Sequence, residues 1–506
     1  MPFIPCAPGR KALNHADSFV SDLKPTQASN SESKQVPLCV DLDGTLIRSD
    51  LLAEALLRFV RHHPLRLFSL LGWLLQGRAV LKARLAEVAP PPASLPPVNQ
   101  EVLDRMNLAR QSGRPVLLVT ASHEKMLGSV RSLFAFDEVL ATSDSVNLKG
   151  SHKADLLVER FGEMGFDYVG DSWADLPVWE VAREAVVVGG GSLAKAAEGR
   201  AKVGSVIPKS GPGLMGWLKG IRVHQWSKNI LIGLPLFAGH HFSLQNLLLL
   251  AVAFMAMNLC ASATYLWNDL LDLDHDRQHR SKRKRLAASG RAPLATVMGV
   301  SMVLVLSGLI GAFLVDVGFG LLMVGYIVAT LSYSLCVKRM PIADIFLLTF
   351  LYLLRIVGGV LVISSALSFW LFAFSFLLFL SLAGAKRYVE LQVQVRNGAD
   401  EIQGRGYRVS DMPLVLALGL ASGVASCIVL GLYSNSPKVT ALYHAPEWFW
   451  GICVIALYWI CRIWFLTHRG FMRDDPVVFA LKDRGTWILG FIGLACVLLA
   501  QPIMNA

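Results

Sequence analysis

The chain has 506 residues, of which 54% are hydrophobic and 17% charged, and its mean hydropathy is +0.48. This composition excludes one ordinary water-soluble domain, because the apolar residues after about position 228 form runs near the roughly 20 residues that cross a bilayer. The net charge of +11 falls in particular loops, which favours a role in membrane orientation and argues against nucleic acid as a partner.

Composition divides the chain into four parts. Residues 1–35 mix Pro, Ser, Lys and Asp without an apolar stretch, so we expect a disordered leader. A Gly/Pro segment at 209–213 marks a domain boundary. We therefore expect a soluble domain over 36–205, a linker with an interfacial helix over 206–227, and a polytopic transmembrane domain over 228–506.

The expected soluble domain alternates short apolar runs with helical patterns. The runs lie at 36–40, 115–120, 168–170 and 185–188. This rhythm is typical of an α/β domain with a mostly parallel sheet.

Two carboxylates, Asp41 and Asp43, follow the first apolar run directly. Period-two alternation predicts that both point to the same side, at the strand end where α/β sheets usually bind ligands. The first carboxylate could attack phosphorus and the second could protonate the leaving oxygen, while Gly44 would let the backbone turn close to a phosphate. An ordinary turn after a strand is the alternative interpretation.

Three later segments supply the other groups that phosphoryl transfer needs. Thr120 ends the second run with a hydroxyl for a phosphoryl oxygen, and Lys153 can neutralise charge on the phosphate. Asp171 and Asp175 follow a further strand and are suited to holding Mg²⁺ near Asp41.

In this order and spacing, the four segments resemble the phosphatase branch of the haloacid dehalogenase (HAD) superfamily. The resemblance covers about residues 36–195 and implies a Rossmann-like α/β fold with a helical cap. It implies Asp41 as nucleophile, Asp43 as acid/base, Thr120 and Lys153 as phosphate binders, and Asp41, Asp43, Asp171 and Asp175 as candidate residues at the Mg²⁺ site.

The cap is expected over about 49–112. Its stretch 56–75 joins apolar residues to basic ones such as Arg61 and Arg66, and is too short and too basic for a membrane span. Two interpretations stay open: a helix pair on the membrane surface, which would suit a lipid-linked substrate, or a buried cap helix.

Nine apolar segments predict nine transmembrane helices. They lie at about 229–240, 244–267, 292–314, 318–337, 342–363, 367–385, 412–433, 447–467 and 486–503. Basic residues concentrate in the loops 268–291, 386–409 and 462–485, and the opposite loops have almost none. This bias predicts a multi-pass protein of the inner (cytoplasmic) membrane, with the soluble domain and the charged loops in the cytoplasm.

An acidic motif closes the second predicted span. On a helix, Asn268, Asp272 and Asp276 are spaced i, i+4 and i+8 and form one stripe. Such stacking is unfavourable unless a cation neutralises it, and Mg²⁺ bridging a substrate diphosphate would do so. The alternative is a solvated acidic loop. The basic residues that follow at 277–285 could bind phosphates or act only as orientation charges.

This motif, with its basic loop ending in Ala287–Gly290, resembles the UbiA superfamily of intramembrane prenyltransferases over about 215–506. The resemblance implies an all-α bundle of nine helices with a central cavity. Members that alkylate an aromatic ring carry a second motif, Asp-x-x-x-Asp, whereas here Asp344 is followed by Leu348 where the second acid would stand.

Five further segments lie at 222–229, 333–334, 344–355, 386–390 and 474–479. They resemble the polyprenyl-phosphate phosphoribosyltransferase branch of that superfamily. The branch implies 5-phosphoribosyl 1-diphosphate (PRPP) as donor and a polyprenyl phosphate as acceptor. The candidate substrate-binding residues are Lys228, Asn268, Tyr333, Asp344, Arg355, Lys386 and Arg387. The candidates for catalysis are Asp272 and Asp276, and those for Mg²⁺ binding are Asn268, Asp272 and Asp276.

Together, the resemblances predict transfer of 5-phosphoribose from PRPP to a membrane-bound polyprenyl phosphate, with release of diphosphate. The HAD-like domain would then remove the 5-phosphate, giving polyprenyl-phosphoryl ribose for cell-envelope glycan. That domain could instead act on another small phosphomonoester or be an idle docking module. The whole chain could be an aromatic prenyltransferase that uses prenyl diphosphate, or a non-catalytic membrane scaffold.

Overall fold

The computed structural model describes residues 35–500 except 92–95, 144–146, 210, 240–241, 399, 403–404, 438, 440–442 and 473–474. The expected leader, apart from Gln35, lies outside the described residues.

The predicted parallel α/β domain is confirmed. Its sheet has six strands in the order β3-β2-β1-β4-β5-β6, and every neighbouring pair is parallel. The strands are β1 (Leu38–Val40), β2 (Val116–His123), β3 (Glu138–Thr142), β4 (Asp167–Gly170), β5 (Glu184–Val188) and β6 (Val203–Ile207). Because β1 and β4 are central neighbours, the segments that leave their carboxyl ends meet.

Helices cover both faces of this sheet. Successive strand residues point to opposite faces, so Leu38 and Val40 join one apolar core and Cys39 joins the other. The helices are α1 (Leu51–His62), α2 (Leu67–Leu75), α3 (Arg78–Val88), α4 (Gln100–Gln111), α5 (Gly128–Leu133), α6 (Ser151–Phe161), α7 (Leu176–Val181) and α8 (Gly191–Glu198).

The first two helices lie in the predicted cap and differ in burial. In α1, Asp50 caps the amino end through Ala53 N–H (2.9 Å), and Leu51, Ala55 and Phe59 are buried. No residue of α2 is buried, and the side chain of Phe68 is 89% exposed. The buried-helix interpretation therefore describes α1 and does not describe α2.

The rest of the chain is helical. Short helices α9 (Gly213–Gly220) and α10 (Leu234–Ala238) flank a 3₁₀ helix, Val223–Gly233. They are followed by α11 (Leu244–Leu271), α12 (Leu273–Gln278), α13 (Leu294–Val315), α14 (Val317–Leu335), α15 (Ala343–Val362), α16 (Phe369–Asn397), α17 (Met412–Ser434), α18 (Phe449–His468), α19 (Pro476–Lys482) and α20 (Arg484–Leu499).

Seven helices within the described residues are long and apolar enough to cross a membrane, and the predicted count of nine is not confirmed. The seven include α11, α13, α14, α15 and α16, together with the segments that contain α17 and α18. The first expected span is broken into short pieces near Gly233 and Pro235, because proline cannot continue a helix from the preceding turn. The last, α20, has 16 described residues.

Buried charges join the soluble and membrane domains. Arg277, after the acidic motif, pairs with Glu54 of α1 (2.7 Å), and Arg58 bridges Glu54 and Asp274 at 2.8 Å each. Leu57 of α1 is buried in an apolar cluster that includes Leu266 and other membrane-domain residues. The charged segment after α11 is thus packed against the cap helix.

Candidate functional site

The first candidate site lies where β1 and β4 end. Carboxylate oxygens of Asp41, Asp171 and Asp175 all lie within 4.8 Å of one another, the one such set of acidic, His or Cys residues among the described residues. Three oxygen ligands at this separation are suited to Mg²⁺. The sheet topology therefore brings together residues that are 130 positions apart in the chain, as the strand pattern predicts.

A buried lysine connects two of these carboxylates. Lys153, in the first turn of α6, lies with Nζ 2.9 Å from Asp41 Oδ1, and donates to Tyr168 Oη at 2.8 Å. Tyr168 in turn donates to Asp175 Oδ1 at 3.0 Å. Asp175 also accepts the backbone N–H of Ser172 at 3.0 Å. Asp175 is thus held rigidly, while Asp41 faces a positive charge.

Asp43 is separate from this acidic set. Its Oδ1 accepts the backbone N–H of Leu51 (2.8 Å), and its Oδ2 accepts the hydroxyl of Ser122 (2.5 Å). The structure therefore does not place Asp43 with the candidate metal ligands. Gly44 follows with φ +77°, and a Cβ there would collide with the Asp171 carboxylate, so this close turn requires glycine.

Burial changes the acidity of these groups. It raises the pKa of Asp43 to about 8, with the Asp50 charge adding to the effect. It also raises the pKa of Asp41 to about 7, although Lys153 opposes the shift. Burial lowers the pKa of Lys153, but the charges of Asp41 and Asp175 outweigh it and the net shift is upward. Lys153 therefore stays charged, and Asp43 retains a proton more readily than an ordinary aspartic acid.

The remaining predicted residue, Thr120, is fully buried and accepts the Ser122 N–H (3.0 Å). Two residues that contact Asp171 were not predicted from the sequence. Thr45 donates to Asp171 Oδ1 (3.3 Å), and its place next to Gly44 was the signal that could have found it. Lys209 pairs with Asp171 from beyond the sheet, and no local spacing indicates that contact.

The second candidate site is a cavity of about 500 Å³ in the membrane domain. Predicted residues in its wall are Lys228, Asn268, Asp272, Tyr333, Arg355 and Lys386. Among the described residues, eight cationic side chains line it against three carboxylates, those of Asp272, Glu390 and Asp475. The eight cations are Arg222, Lys228, Lys282, Arg285, Lys338, Arg355, Lys386 and Arg405. This excess of positive charge fits a ligand that carries several negative charges.

The acidic motif keeps helical spacing although the helix bends at Asp272. Asp272 N–H donates to the Asn268 carbonyl (3.0 Å), and Asp276 N–H donates to the Asp272 carbonyl (2.8 Å). The Asp272 carboxylate contacts Lys338 Nζ at 2.7 Å, and Asp276 contacts Arg285 at 2.7 Å. Asp276 Oδ1 is buried and accepts no hydrogen bond from the described residues. An acidic oxygen in that state fits a cation ligand.

Another residue of the cavity wall, Asp475, lies between two lysines. Lys228 Nζ is 2.8 Å from its Oδ2, and Lys386 Nζ is 3.3 Å from the same atom. Arg355 donates to Asn229 Oδ1 (2.7 Å), and its guanidinium lies 5.3 Å from the centre of the Tyr352 ring. These contacts fix the positions of Lys228, Lys386 and Arg355 in the cavity wall.

Three predicted residues do not line the cavity: Asp276, Asp344 and Arg387. The Arg387 side chain is fully buried and lies 2.6 Å from Asp344 Oδ2, and it donates to Tyr333 Oη at 2.8 Å. Arg387 and Asp344 therefore support the wall residue Tyr333 from behind. Leu348, which stands where the second acid motif would have its partner, does line the cavity.

Five cavity cations were not among the candidate substrate-binding residues, although phosphate binding was left open for the basic stretch 277–285, which includes Lys282 and Arg285. Four of them lie in or next to segments that the sequence analysis singled out, and this position could have identified them. They are Arg222, Lys282, Arg285 and Lys338. No such signal was available for Arg405, which donates to Tyr333 Oη (2.8 Å) from a loop without a recognised motif.

The fold and the two sites define a multi-pass membrane protein with a cationic cavity, joined to an α/β domain with a carboxylate cluster. The chain belongs to the UbiA prenyltransferase family, whose family model matches residues 229–482. Membership in this family makes the chain a transferase.

Three relatives illustrate how far the similarity extends. Protein y4nM of Sinorhizobium fredii, described as uncharacterized, is 41% identical over 462 residues, covering 90% of this chain and 89% of that protein. Nodulation protein NoeC of Azorhizobium caulinodans is 35% identical, covering 56% and 91%. Decaprenyl-phosphate phosphoribosyltransferase of Mycobacterium tuberculosis is 29% identical, covering 56% and 93%. The match to y4nM is too long for the membrane domain alone and includes most of the soluble domain.

Proposed function

We propose that the membrane domain transfers 5-phosphoribose from PRPP to a polyprenyl phosphate, and that the soluble domain is a HAD-type phosphatase that removes the 5-phosphate from the product. The observation that carries the transferase proposal is the cavity wall, whose described residues include eight cations against three carboxylates. A 5-phosphate, a diphosphate and a lipid phosphate in one cavity call for such a wall. The relatives named decaprenyl-phosphate phosphoribosyltransferase support the same reaction.

In the transfer step, an oxygen of the polyprenyl phosphate attacks the anomeric carbon of ribose. The bond from that carbon to the diphosphate oxygen breaks with inversion, and diphosphate leaves with the electron pair. The acceptor is already anionic at neutral pH, so it needs no general base. Lys228, Lys386 and Arg355 line the cavity and would hold phosphate groups by charge-assisted hydrogen bonds.

Mg²⁺ is the proposed cofactor of both sites. Asn268, Asp272 and Asp276 would hold it in the membrane domain, and Asp41 with Asp171 would hold it in the soluble domain, with Asp175 orienting them. Bound there, the ion would neutralise charge on the phosphate groups. The buried Asp276 Oδ1 and the clustered oxygens of Asp41, Asp171 and Asp175 support these assignments.

In the soluble domain, Asp41 would attack the phosphorus of the ribose 5-phosphate. The bond from phosphorus to the ribose oxygen breaks, and the Asp43 proton passes to that oxygen. Water activated by Asp43 then hydrolyses the aspartyl phosphate, which releases inorganic phosphate and restores Asp41. Lys153, 2.9 Å from Asp41, stabilises charge on the nucleophile and the phosphate.

Two other functions fit less well. An aromatic prenyltransferase would need a second acidic motif, and Leu348 lines the cavity where its partner acid would stand. A scaffold without catalysis would not need the buried Lys153–Asp41 pair (2.9 Å) or the clustered carboxylates. We further propose an inner-membrane location with both sites on the cytoplasmic side, because the positive loops lie there by charge bias.

The transferase proposal is tested with purified full-length protein in detergent, Mg²⁺, PRPP labelled in the ribose, and polyprenyl phosphates of several lengths. Wild-type protein and Asp41→Asn are expected to transfer label into the organic phase. Asp272→Ala with Asp276→Ala should abolish the transfer. Labelled lipid in that double variant, or none in the wild type with any chain length, would refute the proposal.

A further inference from the structure

A second cavity, of about 460 Å³, lies between the two domains. The soluble domain contributes Asp43, Gly44 and Asp171, which belong to the candidate phosphatase site. The membrane domain contributes residues 290–296, the segment that enters α13. This volume is within the range of small-ligand pockets, and it exceeds what a single phosphate group needs.

The membrane-domain wall is fixed closely against the soluble domain. Gly290 has φ +65°, and a Cβ at this position would collide with the Arg48 backbone carbonyl. Next to it, Ala292 and Leu294 are 2% and 3% exposed. Because the segment is packed in this way, the cavity is a built part of the domain interface.

Two arginines line the cavity from opposite domains. Arg48 belongs to the soluble domain and Arg291 to the membrane domain, and both are exposed. Within the described part of the chain, neither forms an ion pair, whereas Lys209 is paired with Asp171. In the proposed phosphatase reaction, Lys153, 2.9 Å from Asp41, is the cation for the phosphate that reacts there. Two further cations indicate a second anionic group in the ligand.

The same cavity has an apolar side. Trp217, Pro293 and Leu294 line it, and Leu294 is the first residue of the membrane-spanning helix α13. A ligand bound here reaches the start of a membrane span with one end, and the carboxylates with the other. That combination favours an amphiphilic ligand over a free sugar phosphate.

From these contacts we propose that the interdomain cavity binds a lipid-linked sugar phosphate through two anionic groups. Its terminal phosphomonoester lies at Asp171, next to Asp41, the phosphodiester that joins sugar to lipid lies between Arg48 and Arg291, and the lipid chain leaves past the exposed Pro293 at the start of α13. The inference rests on the proposed phosphatase function and adds that the membrane domain supplies part of the phosphatase's substrate specificity.

The test compares two substrates with purified full-length protein and Mg²⁺: polyprenyl-phosphoryl ribose 5-phosphate and free ribose 5-phosphate. Phosphate release gives a KM for each. Arg291→Ala should raise the ratio of the lipid-linked KM to the free-sugar KM about tenfold, because a charge-assisted hydrogen bond to the phosphodiester is lost. Arg48→Ala, on the other wall, should change the ratio in the same direction, and Arg291→Lys should restore most of it.

Arg283→Ala is the matched control, because Arg283 is exposed in the same loop as Arg291, 268–291, and lines neither cavity. It should change neither KM. An unchanged ratio in both Arg291→Ala and Arg48→Ala would overturn the proposed ligand while leaving the phosphatase intact. Wild-type hydrolysis of free ribose 5-phosphate without hydrolysis of the lipid-linked substrate would also overturn the proposed ligand. Hydrolysis of neither substrate would overturn the phosphatase function itself, and this inference with it.

Discussion

Arg61 of the soluble domain lies with Nη1 3.4 Å from Asp272 Oδ1, a carboxylate of the membrane domain's acidic motif. The same Nη1 donates to the Leu271 carbonyl at 2.8 Å, at the end of α11. At the other end of α1, Leu51 N–H donates to Asp43 (2.8 Å). One helix of about 18 Å therefore connects the two candidate sites.

This contact predicts that the soluble domain supports the transferase. Arg61→Ala removes a cation from Asp272 and a hydrogen bond from the end of α11, so transfer of labelled ribose to lipid should slow about tenfold. Arg66→Ala is the control, because Arg66 is exposed in the same cap and, among the described residues, forms no ion pair with the motif. Equal initial rates for Arg61→Ala and wild type would show that the ion pair has no role in transfer.

The domain interface should depend on Glu54. This side chain is 1% exposed and pairs with both Arg58 and Arg277, so Glu54→Ala leaves the buried Arg277 without its carboxylate partner and Arg58 with Asp274 alone. We expect a loss of about 3 kcal/mol in the free energy of unfolding, measured by denaturant titration in detergent. Glu180→Ala removes an exposed pair with Arg200 and should cost less than about 1 kcal/mol. A similar cost for the two variants would contradict a stabilising role for the buried network.

Gly44 should be required for phosphate release and dispensable for transfer. Gly44→Ala puts a Cβ into the Asp171 carboxylate at a positive φ, and displacing that carboxylate should slow phosphate release about 100-fold. Gly190→Ala is the control, since no atom lies within 4 Å of its added Cβ. Parallel assays of phosphate release and lipid labelling separate the effects. Loss of both activities in Gly44→Ala would indicate general unfolding.

The two proposed metal sites should respond independently. Asp171→Asn removes a charge from the cluster with Asp41, and should raise the Mg²⁺ concentration required for phosphate release without changing that for transfer. Asp276→Asn should raise the Mg²⁺ concentration required for transfer without changing that for phosphate release. Magnesium titrations of both activities in both variants provide reciprocal controls. A common shift in both activities would contradict separate sites.

The sequence predicted the residues whose positions depend on short-range patterns. Asp41 and Asp171 each follow a strand, and because β1 and β4 are parallel neighbours, their carboxylates meet. The i, i+4 and i+8 spacing of Asn268, Asp272 and Asp276 likewise predicted helical backbone. The backbone hydrogen bonds from Asp272 to Asn268 and from Asp276 to Asp272 are present.

Contacts that depend on how domains and helices dock could not be predicted. Arg61 meets Asp272 only because the cap helix packs against the end of α11, and no local pattern encodes this packing. Asp344 and Arg387 resemble substrate-binding residues in sequence, but burial pairs them with each other behind Tyr333. The nine-span count used hydropathy alone, and hydropathy does not register the break near Gly233.

The central claim is that the two sites act in sequence, and doubly labelled PRPP tests it most directly. The donor carries ¹⁴C in the ribose and ³²P in the 5-phosphate, and the full-length protein is incubated with it, Mg²⁺ and polyprenyl phosphate. We predict lipid with ¹⁴C alone from the wild type, and lipid with both labels in equal amounts from Asp41→Asn. Wild-type lipid that keeps both labels, or no labelled lipid at all, would contradict the account.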